Sequence, residues 1–551
     1  MGLIDSDRAH WAPSTFNTVL QDRTIGDYFD EQAEKYMNRS ALRFSAYESL
    51  NIANVNWTYA DYQNKVNDLA KALIGAGFQK GNHIAVWCIN IPEWIVLELA
   101  CAKLGIVLVT MNPALQSQEA KYVLVKSDVN AVFVLSDFAK RSYVNELKAI
   151  RKDLPLLKTI YTFNDSEDSE TISYNKLLAG SKDITDDLLA QLQSLVTPSD
   201  IFQIQFTSGT TGFPKGAMLT HHHALNNAFL IFNRWEISKD DILFSPLPLF
   251  HTAGSILIAF ASVTVGATYI TQPYFMPSDA VAIIKKYGVT HFGGVPTMLQ
   301  GVLNELEKSN EELKLTLFMS GGAPVPKALG EKLEAKMHAK GVVLMGMTET
   351  GGIFSSTGPA DSAEKRAITS GQPLPHTEVK IIDPVTHEIQ PCNIPGEIVV
   401  RGYLVMKGYY NMEEQTNEVL DMDGWLRTGD IGLLDNEGYL NVMGRLKEML
   451  IRGGENIYPR EVEDFLITHP KVAEAHVIGV PDEYYGEVPA AVIKLKENQQ
   501  LTESELKAYC KGNLSHQKTP VEILFVDSLP LTASGKVQKN ELLKQYLLQK
   551  K

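Results

Sequence analysis

Cysteine is scarce in this chain. The 551 residues include only Cys88, Cys101, Cys392 and Cys510, with no Cys-x-x-Cys pair and no flanking histidines at metal spacing. A disulfide framework and a structural zinc site are thereby excluded as organising features, and a reducing compartment fits. Basic charge is in deficit too: 51 Lys plus Arg stand against 65 Asp plus Glu, a formal net charge of −14. Broad nucleic-acid binding, which needs basic surface, is disfavoured, although a local basic pocket can still hold a polyphosphate. Long uncharged runs are nearly missing. The exception, Thr252 to Ser278, contains Gly254, Gly266, Pro273, Pro277 and many hydroxyls, and it reads as a buried helix followed by a strand, Ala267 to Thr271, rather than a membrane span. The N-terminal Met-Gly-Leu-Ile-Asp-Ser-Asp-Arg carries acids where a secretory or mitochondrial presequence would be basic, so the cytoplasm is the expected location. Gly2 with Ser6 fits the short myristoylation pattern, but two fixed positions often match by chance. The chain has neither internal repeats nor low-complexity tracts.

What is present is the composition of a globular protein, 44% hydrophobic and 21% charged, in a chain long enough for two to four folding units by the ordinary relation of length to domain number. From about residue 55 helical and strand patterns alternate. Thr58 can cap a helix with Tyr62, Val66, Leu69 and Leu73 on one face, stopped by Gly75 and Gly77. Ile84 to Cys88, Ile106 to Thr110 and Ala131 to Leu135 read as strands, with a helix starting at Pro92. The same rhythm returns with helices Asp279 to Tyr287, Thr297 to Lys308 and Pro326 to His338, and strands Val289 to Phe292, Leu315 to Ser320 and Val342 to Met345. Repeated β-α units predict parallel sheets covered by helices, with ligands at strand carboxyl ends.

Between about 375 and 444 the pattern changes to short strands split by Pro, Gly, Asn and Asp: Val379 to Ile382, Glu397 to Arg401, Trp425 to Ile431 and Tyr439 to Val442. These predict an antiparallel, barrel-like subdomain. Beyond Arg445, Pro459 opens a helix and Thr502 with Glu505 forms a capping box. The expected fold is therefore α/β. A large N-terminal domain, 1–444, has two β-α sheet subdomains plus the small barrel, and residues 445–447 join it to a small α+β domain, 448–551.

The stretch Phe206-Thr207-Ser208-Gly209-Thr210-Thr211-Gly212-Phe213-Pro214-Lys215-Gly216 has the composition of a phosphate-gripping loop. Its glycines let successive N–H groups converge on an anion, and four hydroxyls and a lysine add donors and charge. The P-loop pattern needs Gly-Lys followed by Ser or Thr; here Pro214 precedes Lys215 and Gly216 follows, so this is another kind of phosphate loop. Glycine-bearing loops after Gln205, Ser320 and Met345 all follow strands, which points to one shared site.

Five further stretches complete an ordered set: Gly321-Gly322-Ala323-Pro324, Met345-Gly346-Met347-Thr348-Glu349, Trp425-Leu426-Arg427-Thr428-Gly429-Asp430, Gly444-Arg445-Leu446-Lys447-Glu448, and Pro530-Leu531-Thr532-Ala533-Ser534-Gly535-Lys536. In order and spacing they resemble the adenylate-forming superfamily of acyl-CoA synthetases, luciferases and peptide-synthetase adenylation domains, over nearly the whole chain. Ile451-Arg452-Gly453-Gly454-Glu455-Asn456-Ile457-Tyr458-Pro459 looks most like the fatty acyl-CoA synthetase branch, notably the medium-chain group.

The resemblance implies an ATP-dependent acyl-CoA ligase that passes through acyl-AMP and releases pyrophosphate, with ATP, a fatty acid and CoA as partners and Mg²⁺ accompanying ATP. It implies that Thr207, Ser208, Gly209, Thr210, Thr211, Gly212 and Lys215 hold phosphates, and that Thr207 and Glu349 hold Mg²⁺. Gly322, Ala323, Pro324, Met345, Gly346, Met347 and Thr348 would surround the adenine. The position of Met345 usually carries an aromatic residue, and a thioether contacts a purine with softer geometry. Asp430 is implied to bind the ribose hydroxyls, Arg445 ribose or phosphate, and Lys536 to bridge the attacking carboxylate and α-phosphate. Residues 445–447 would be a hinge, with Lys447 absorbing the backbone change, that makes the small domain mobile, and Gly453 with Gly454 would line the CoA tunnel. His251 and Val295 would belong to the acyl pocket, although a core histidine is an equal reading of His251, and Ile256 to Phe260 and Gly294 to Met298 suit pocket wall or core alike. His221, His222 and His223 look like a metal cluster, but successive helix positions point about 100° apart and cannot converge. Rival expectations are an acyl-AMP ligase loading a carrier protein, an aryl-acid CoA ligase, and a non-catalytic nucleotide or acyl sensor. Expected partners exclude nucleic acid and include weak peripheral membrane contact; the expected assembly is a homodimer or a monomer.

Overall fold

The strand His83–Trp87 is buried from end to end, as a parallel strand covered on both faces should be. It is the middle strand of a seven-stranded sheet ordered Thr171–Ser173, Thr159–Thr162, Ala131–Val134, His83–Trp87, Val107–Met111, Ile201–Thr207, Lys215–Thr220. Neighbours pair in parallel except the last two, which form an antiparallel hairpin. The structure is a computed structural model that describes residues 3–4, 8–12, 18–47, 52–138, 140–166, 168–207, 214–323, 325–452, 455–482, 484–511, 513–530 and 537–549.

A second sheet has nine strands, ordered Gln372–Pro373, Ser355–Ser356, Lys340–Met345, Leu317–Gly321, His291–Gly293, Ile242–Phe244, Thr268–Thr271, Ser40–Phe44, Val55–Thr58. It is parallel from Lys340–Met345 through Ser40–Phe44 and antiparallel at both edges. Helices fill the spaces the sequence assigned to them. Thr58 caps Tyr59–Gly75 through a reciprocal box with Asp61, and Tyr62, Val66, Leu69 and Leu73 are buried. Pro92–Leu104 is buried at every position but Glu93, with Glu98 and Lys103 enclosed among its apolar residues, as an internal helix is covered on all sides. The uncharged run after Thr252 breaks into Thr252–Gly254, a π-helical turn Ser255–Phe260, Ala261–Val265 and the strand Thr268–Thr271. Among the described residues no helix is long and apolar enough to cross a membrane.

The chain forms two compact units: Met1–Leu3, Ala12–Glu378 and Val400–Leu426 make the first, and Ile4–Trp11, Val379–Val399 and Arg427–Lys551 the second. Both large sheets belong to the first. Mainly within the second lies a six-stranded sheet ordered Leu3–Ile4, His10–Ala12, Thr377–Ile382, Gly396–Gly402, Leu426–Leu434, Leu440–Arg445, antiparallel where Asp430 faces Arg445. The second unit also holds a five-stranded sheet built on the long antiparallel pair Val472–Asp482 and Gly486–Leu495. Strand alternation sends Ala475, Val477, Ala491 and Ile493 to one face, with Val462, Leu466 and Leu506, and Ile478, Val480, Ala490 and Val492 to the other, with Leu542 and Tyr546. This is the α+β arrangement expected after Arg445.

Candidate active site

The phosphate-loop candidate joins two hydrogen-bonded strands, with Thr207 facing Lys215 as the last pair of the hairpin. Ser208, Gly209, Thr210, Thr211, Gly212 and Phe213 lie outside the described residues. The base of the loop is held firmly. Tyr122 donates to the Pro214 carbonyl at 3.0 Å. A Cβ on Gly216 would come within 2.8 Å of Ile204 Cγ2 and 3.1 Å of the Phe206 ring, so glycine is what lets the strands close here. The segment 407–410 adds to the return strand: Lys407 N donates to Met218 O, Met218 N to Gly408 O and Tyr410 N to Gly216 O, at 2.8–3.0 Å.

That added segment reaches the second glycine-bearing loop. The strand Lys340–Met345 ends in a 3₁₀ turn, Thr348–Thr350, closed by Gly351 at φ 64°. Glu349, on this turn, is 6% exposed. Tyr409 Oη donates to Glu349 Oε1 at 2.8 Å, and Met406 N donates to the Glu349 carbonyl at 2.8 Å. The Lys215 ammonium stands over the Tyr409 ring, 5.0 Å from its centre. Burial, then the Glu349 charge and the bond to it, raises the Tyr409 phenol far above its ordinary value, so it remains a donor. From the helix His221–Arg234, the buried Asn227 amide donates to the Thr350 and Ile353 carbonyls at 2.9 and 3.0 Å. Thr207 and Lys215, at the two ends of the hairpin loop, and Glu349, on a separate turn, are thus anchored to one framework. Motif reasoning missed Tyr409 and Asn227. A Gly-Tyr-Tyr after a short strand and one amide on an otherwise apolar helix face were the only signals, and neither carries a chemistry by itself.

Gly346 shows how tightly the Glu349 turn is built. A Cβ there would lie 2.1 Å from Gly352 O and 2.4 Å from Ile353 Cα, both backbone atoms. Gly346→Ala is expected to cost about 2–3 kcal/mol by overpacking and to lower nucleotide affinity at least about tenfold. Gly330→Ala, where a Cβ meets nothing within 4 Å, should leave affinity alone and stabilise its helix by about 0.5–1 kcal/mol. Melting temperatures and ATP titrations of the two variants check this; equal losses of affinity would contradict it.

The helical run after His251, one of the acyl-pocket candidates, borders the same turn. Asn90, just beyond the central strand of the first sheet, accepts from Leu249 N and donates to Leu247 O. Thr110 Oγ1 donates to Phe250 O at 2.8 Å. These bonds fix the segment ahead of His251, whose ring lies 4.3 Å from that of Phe250. A Cβ on Gly352, at φ 114°, would touch Thr252 and Leu257 at 3.1 Å, which sets the Glu349 turn directly against the helix after His251. Val295 Cγ1 lies 4.0 Å from where a Gly322 Cβ would stand, and Ile258 Cδ1 3.5 Å from that of Gly293. Ile256 to Phe260 are all buried. Gly322, Ala323, Met345, Met347 and Thr348 are described and Pro324 is not. The three successive histidines diverge: His221 Nδ1 accepts from Ile25 N, His223 Nδ1 from Thr220 N, and His222 faces the Tyr403 ring. Burial pulls His221 and His223 down to about 4.

In the second unit, Arg445 Nε pairs with Asp430 Oδ1 at 2.8 Å across the antiparallel register. Asp430 is 3% exposed, and its N–H donates to Thr428 Oγ1, which itself donates to Ile398 O. Lys447 lies in the 3₁₀ turn Leu446–Glu448 directly after Arg445. Gly453, Gly454 and Lys536 lie outside the described residues.

The donor set in the first unit suits Mg²⁺. A carboxylate and a hydroxyl are hard oxygen ligands, and among the described residues no group of three His, Cys, Asp or Glu is placed to hold a metal. An ion held by one or two side chains, with phosphate and water completing its shell, needs no more.

The parallel sheets, the hairpin loop and the carboxylate on its 3₁₀ turn define a nucleotide-binding α/β enzyme. The AMP-binding enzyme family matches residues 29–410 and the AMP-binding enzyme C-terminal domain matches residues 461–536; the chain belongs to the AMP-binding enzyme family. It is 37% identical over 551 residues to the mitochondrial medium-chain acyl-CoA ligase ACSF2 of Mus musculus, covering 96% of this chain and 88% of the relative. It is equally 37% identical over 541 residues to the Danio rerio protein of that name, covering 95% and 88%. Among solved structures, the anthranilate CoA ligase AuaEII in complex with anthranoyl-AMP superposes with a TM-score of 0.86 at 26% identity, covering 96% of this chain and 98% of that one.

Proposed function

We propose that this chain is an AMP-forming acyl-CoA ligase that converts a fatty acid, of medium or long chain, to its CoA thioester. The observation that carries the reading is the meeting of Lys215 and Glu349 on Tyr409, at the base of a glycine- and hydroxyl-rich loop, in a chain whose medium-chain acyl-CoA ligase relatives align over almost its full length. In the first half-reaction a carboxylate oxygen attacks the α-phosphorus of ATP, and the bond to the departing pyrophosphate breaks. The loop 207–216 holds the β- and γ-phosphates with backbone amides, hydroxyls and Lys215. Thr207 and Glu349 would hold Mg²⁺, which when bound offsets phosphate charge. Lys536 sets its ammonium against the carboxylate and α-phosphate oxygens. Asp430 accepts from the ribose hydroxyls, Arg445 assists at ribose or phosphate, and Gly322, Ala323, Pro324 and Met345 to Thr348 enclose adenine. His251 and Val295 line the acyl site. In the second half-reaction the CoA thiolate, passing Gly453 and Gly454, attacks the acyl carbon and AMP leaves. Lys447 is the hinge that lets the small mobile domain serve both steps. Cytoplasmic location, a homodimeric or monomeric state and weak membrane contact belong to the same proposal.

The test is pyrophosphate release and thioester formation over straight-chain acids of increasing length and an aromatic acid, with and without CoA. Thioester should form with CoA, with kcat/KM peaking at a medium or long straight chain. Pyrophosphate without thioester would replace this reading with carrier-protein loading. A peak at the aromatic acid would make the chain an aryl-acid ligase, and ATP binding without pyrophosphate from any acid would make it a sensor.

A further inference from the structure

Tyr409 touches two groups of opposite charge that belong to the phosphate site. Its hydroxyl donates to Glu349 Oε1 at 2.8 Å, while its ring lies under the Lys215 ammonium at 5.0 Å. The residue is 6% exposed, and both sides of it are tied down. Its N–H donates to Thr416 Oγ1 at 2.9 Å, its neighbour Gly408 accepts from Met218 N, and Tyr410 N donates to Gly216 O. Thr416 Oγ1 in turn donates to Met412 O at 2.8 Å. Tyr409 is therefore a fixed post, registered against the strand that leaves the phosphate loop.

A lysine and a buried carboxylate with a common neighbour would ordinarily close into an ion pair. Among the described residues no ion pair joins Lys215 to Glu349. An aromatic ring can hold the ammonium on its face through its quadrupole while its phenol satisfies one oxygen of the carboxylate. Each charge is then partly compensated by the same neutral side chain and remains available to a third group. A lysine locked onto Glu349 would be lost to the phosphates, and the carboxylate would be lost to a cation.

We propose that Tyr409 is a positioning residue that keeps Glu349 and Lys215 apart and orients the Glu349 carboxylate towards the Mg²⁺ that accompanies ATP. The inference rests on the ligase reading for the identity of the nucleotide, but not on turnover. Two substitutions separate its two contacts. Tyr409→Phe keeps the ring beneath Lys215 and removes the hydroxyl. Tyr409→Leu removes both the hydroxyl and the face that holds the ammonium, and allows Lys215 to collapse onto Glu349.

The experiment is calorimetric titration of the full chain with ATP, with Mg²⁺ or with EDTA, in the absence of any acid, alongside melting temperatures of the free proteins. The wild type should bind ATP more tightly with Mg²⁺. In Tyr409→Phe that gain should shrink about tenfold, the worth of one hydrogen bond to a charged group, with affinity in EDTA and melting temperature nearly unchanged. Tyr409→Leu should lose the gain and also bind ATP about tenfold more weakly in EDTA, because Lys215 is withdrawn. In a Glu349→Gln background, Tyr409→Phe should have no further effect on the Mg²⁺-dependent gain. An undiminished gain in Tyr409→Phe, or equal loss with and without Mg²⁺, would overturn the proposal. If the wild type binds Mg²⁺ and ATP as described yet forms no thioester, the ligase reading fails and the role of Tyr409 stands.

Discussion

Lys536→Ala is expected to slow acyl-adenylate formation by at least about a hundredfold, the loss typical when one preorganised charge stabiliser is removed, while thioester formation from supplied acyl-AMP stays within about threefold. The asymmetry follows from the charges in each step. Adenylation presses a carboxylate against a phosphate, two anions whose approach needs a cation at the reacting oxygens. Attack by the CoA thiolate on a neutral acyl carbon expels AMP and has no such demand at that place. A flexible four-carbon stem ending in a compact ammonium suits the first task. Lys536→Arg keeps the charge but replaces the point donor with a planar fork, so it should recover only part of the rate. Pyrophosphate release measures the first step, and consumption of synthetic acyl-AMP with CoA the second. A parallel fall in both would overturn the division of labour assigned to the small domain.

Much of the fold was legible in the sequence because both large sheets advertise themselves through period and punctuation. Thr58 capped its helix, another helix started at Pro92, and the uncharged stretch after Thr252 divided into a helical run and a strand. Ends shifted by one to three residues; the strand expected at Val289 to Phe292 is His291–Gly293. A π-helical turn at Ser255–Phe260 has no sequence rule that would have announced it. The site was legible only as motifs. Glycine and hydroxyl content marked the loop, and Glu349 stood at a strand end as expected, but that the loop closes a hairpin depends on the pairing of Ile201–Thr207 with Lys215–Thr220, which is a tertiary fact. Tyr409 lies 60 residues from Glu349 along the chain. No local pattern connects a phenol to a carboxylate over that distance.

Glu98 supplies the largest expected dependence of stability on pH. It sits on the internal helix Pro92–Leu104 at 1% exposure, and its Oε1 accepts from Gln203 Nε2 at 2.6 Å. Gln203 Oε1 accepts in turn from Gln205 Nε2 at 2.7 Å, so a polar row runs along the strand that ends at Thr207. Burial pushes the Glu98 carboxyl up to about 8, against the opposing pull of hydrogen bonds from Gln203 and Ser255. The folded protein therefore holds a proton here that the unfolded chain releases near its ordinary carboxylate value. The stabilisation from this proton is complete below that lower value, declines by about 1.4 kcal/mol per pH unit through the interval, and is gone once pH passes about 8. Nearby Tyr62, Tyr269 and Cys101 are pushed by burial far above the same interval, so they stay neutral within it. Glu98→Gln keeps the carbonyl that Gln203 needs and removes the ionisation. Its melting temperature should match or fall slightly below that of the wild type at pH 5 and exceed it increasingly towards pH 8, by several degrees. A constant offset across that range would mean that Glu98 is charged in the folded protein and that the row to Thr207 compensates a carboxylate rather than an acid.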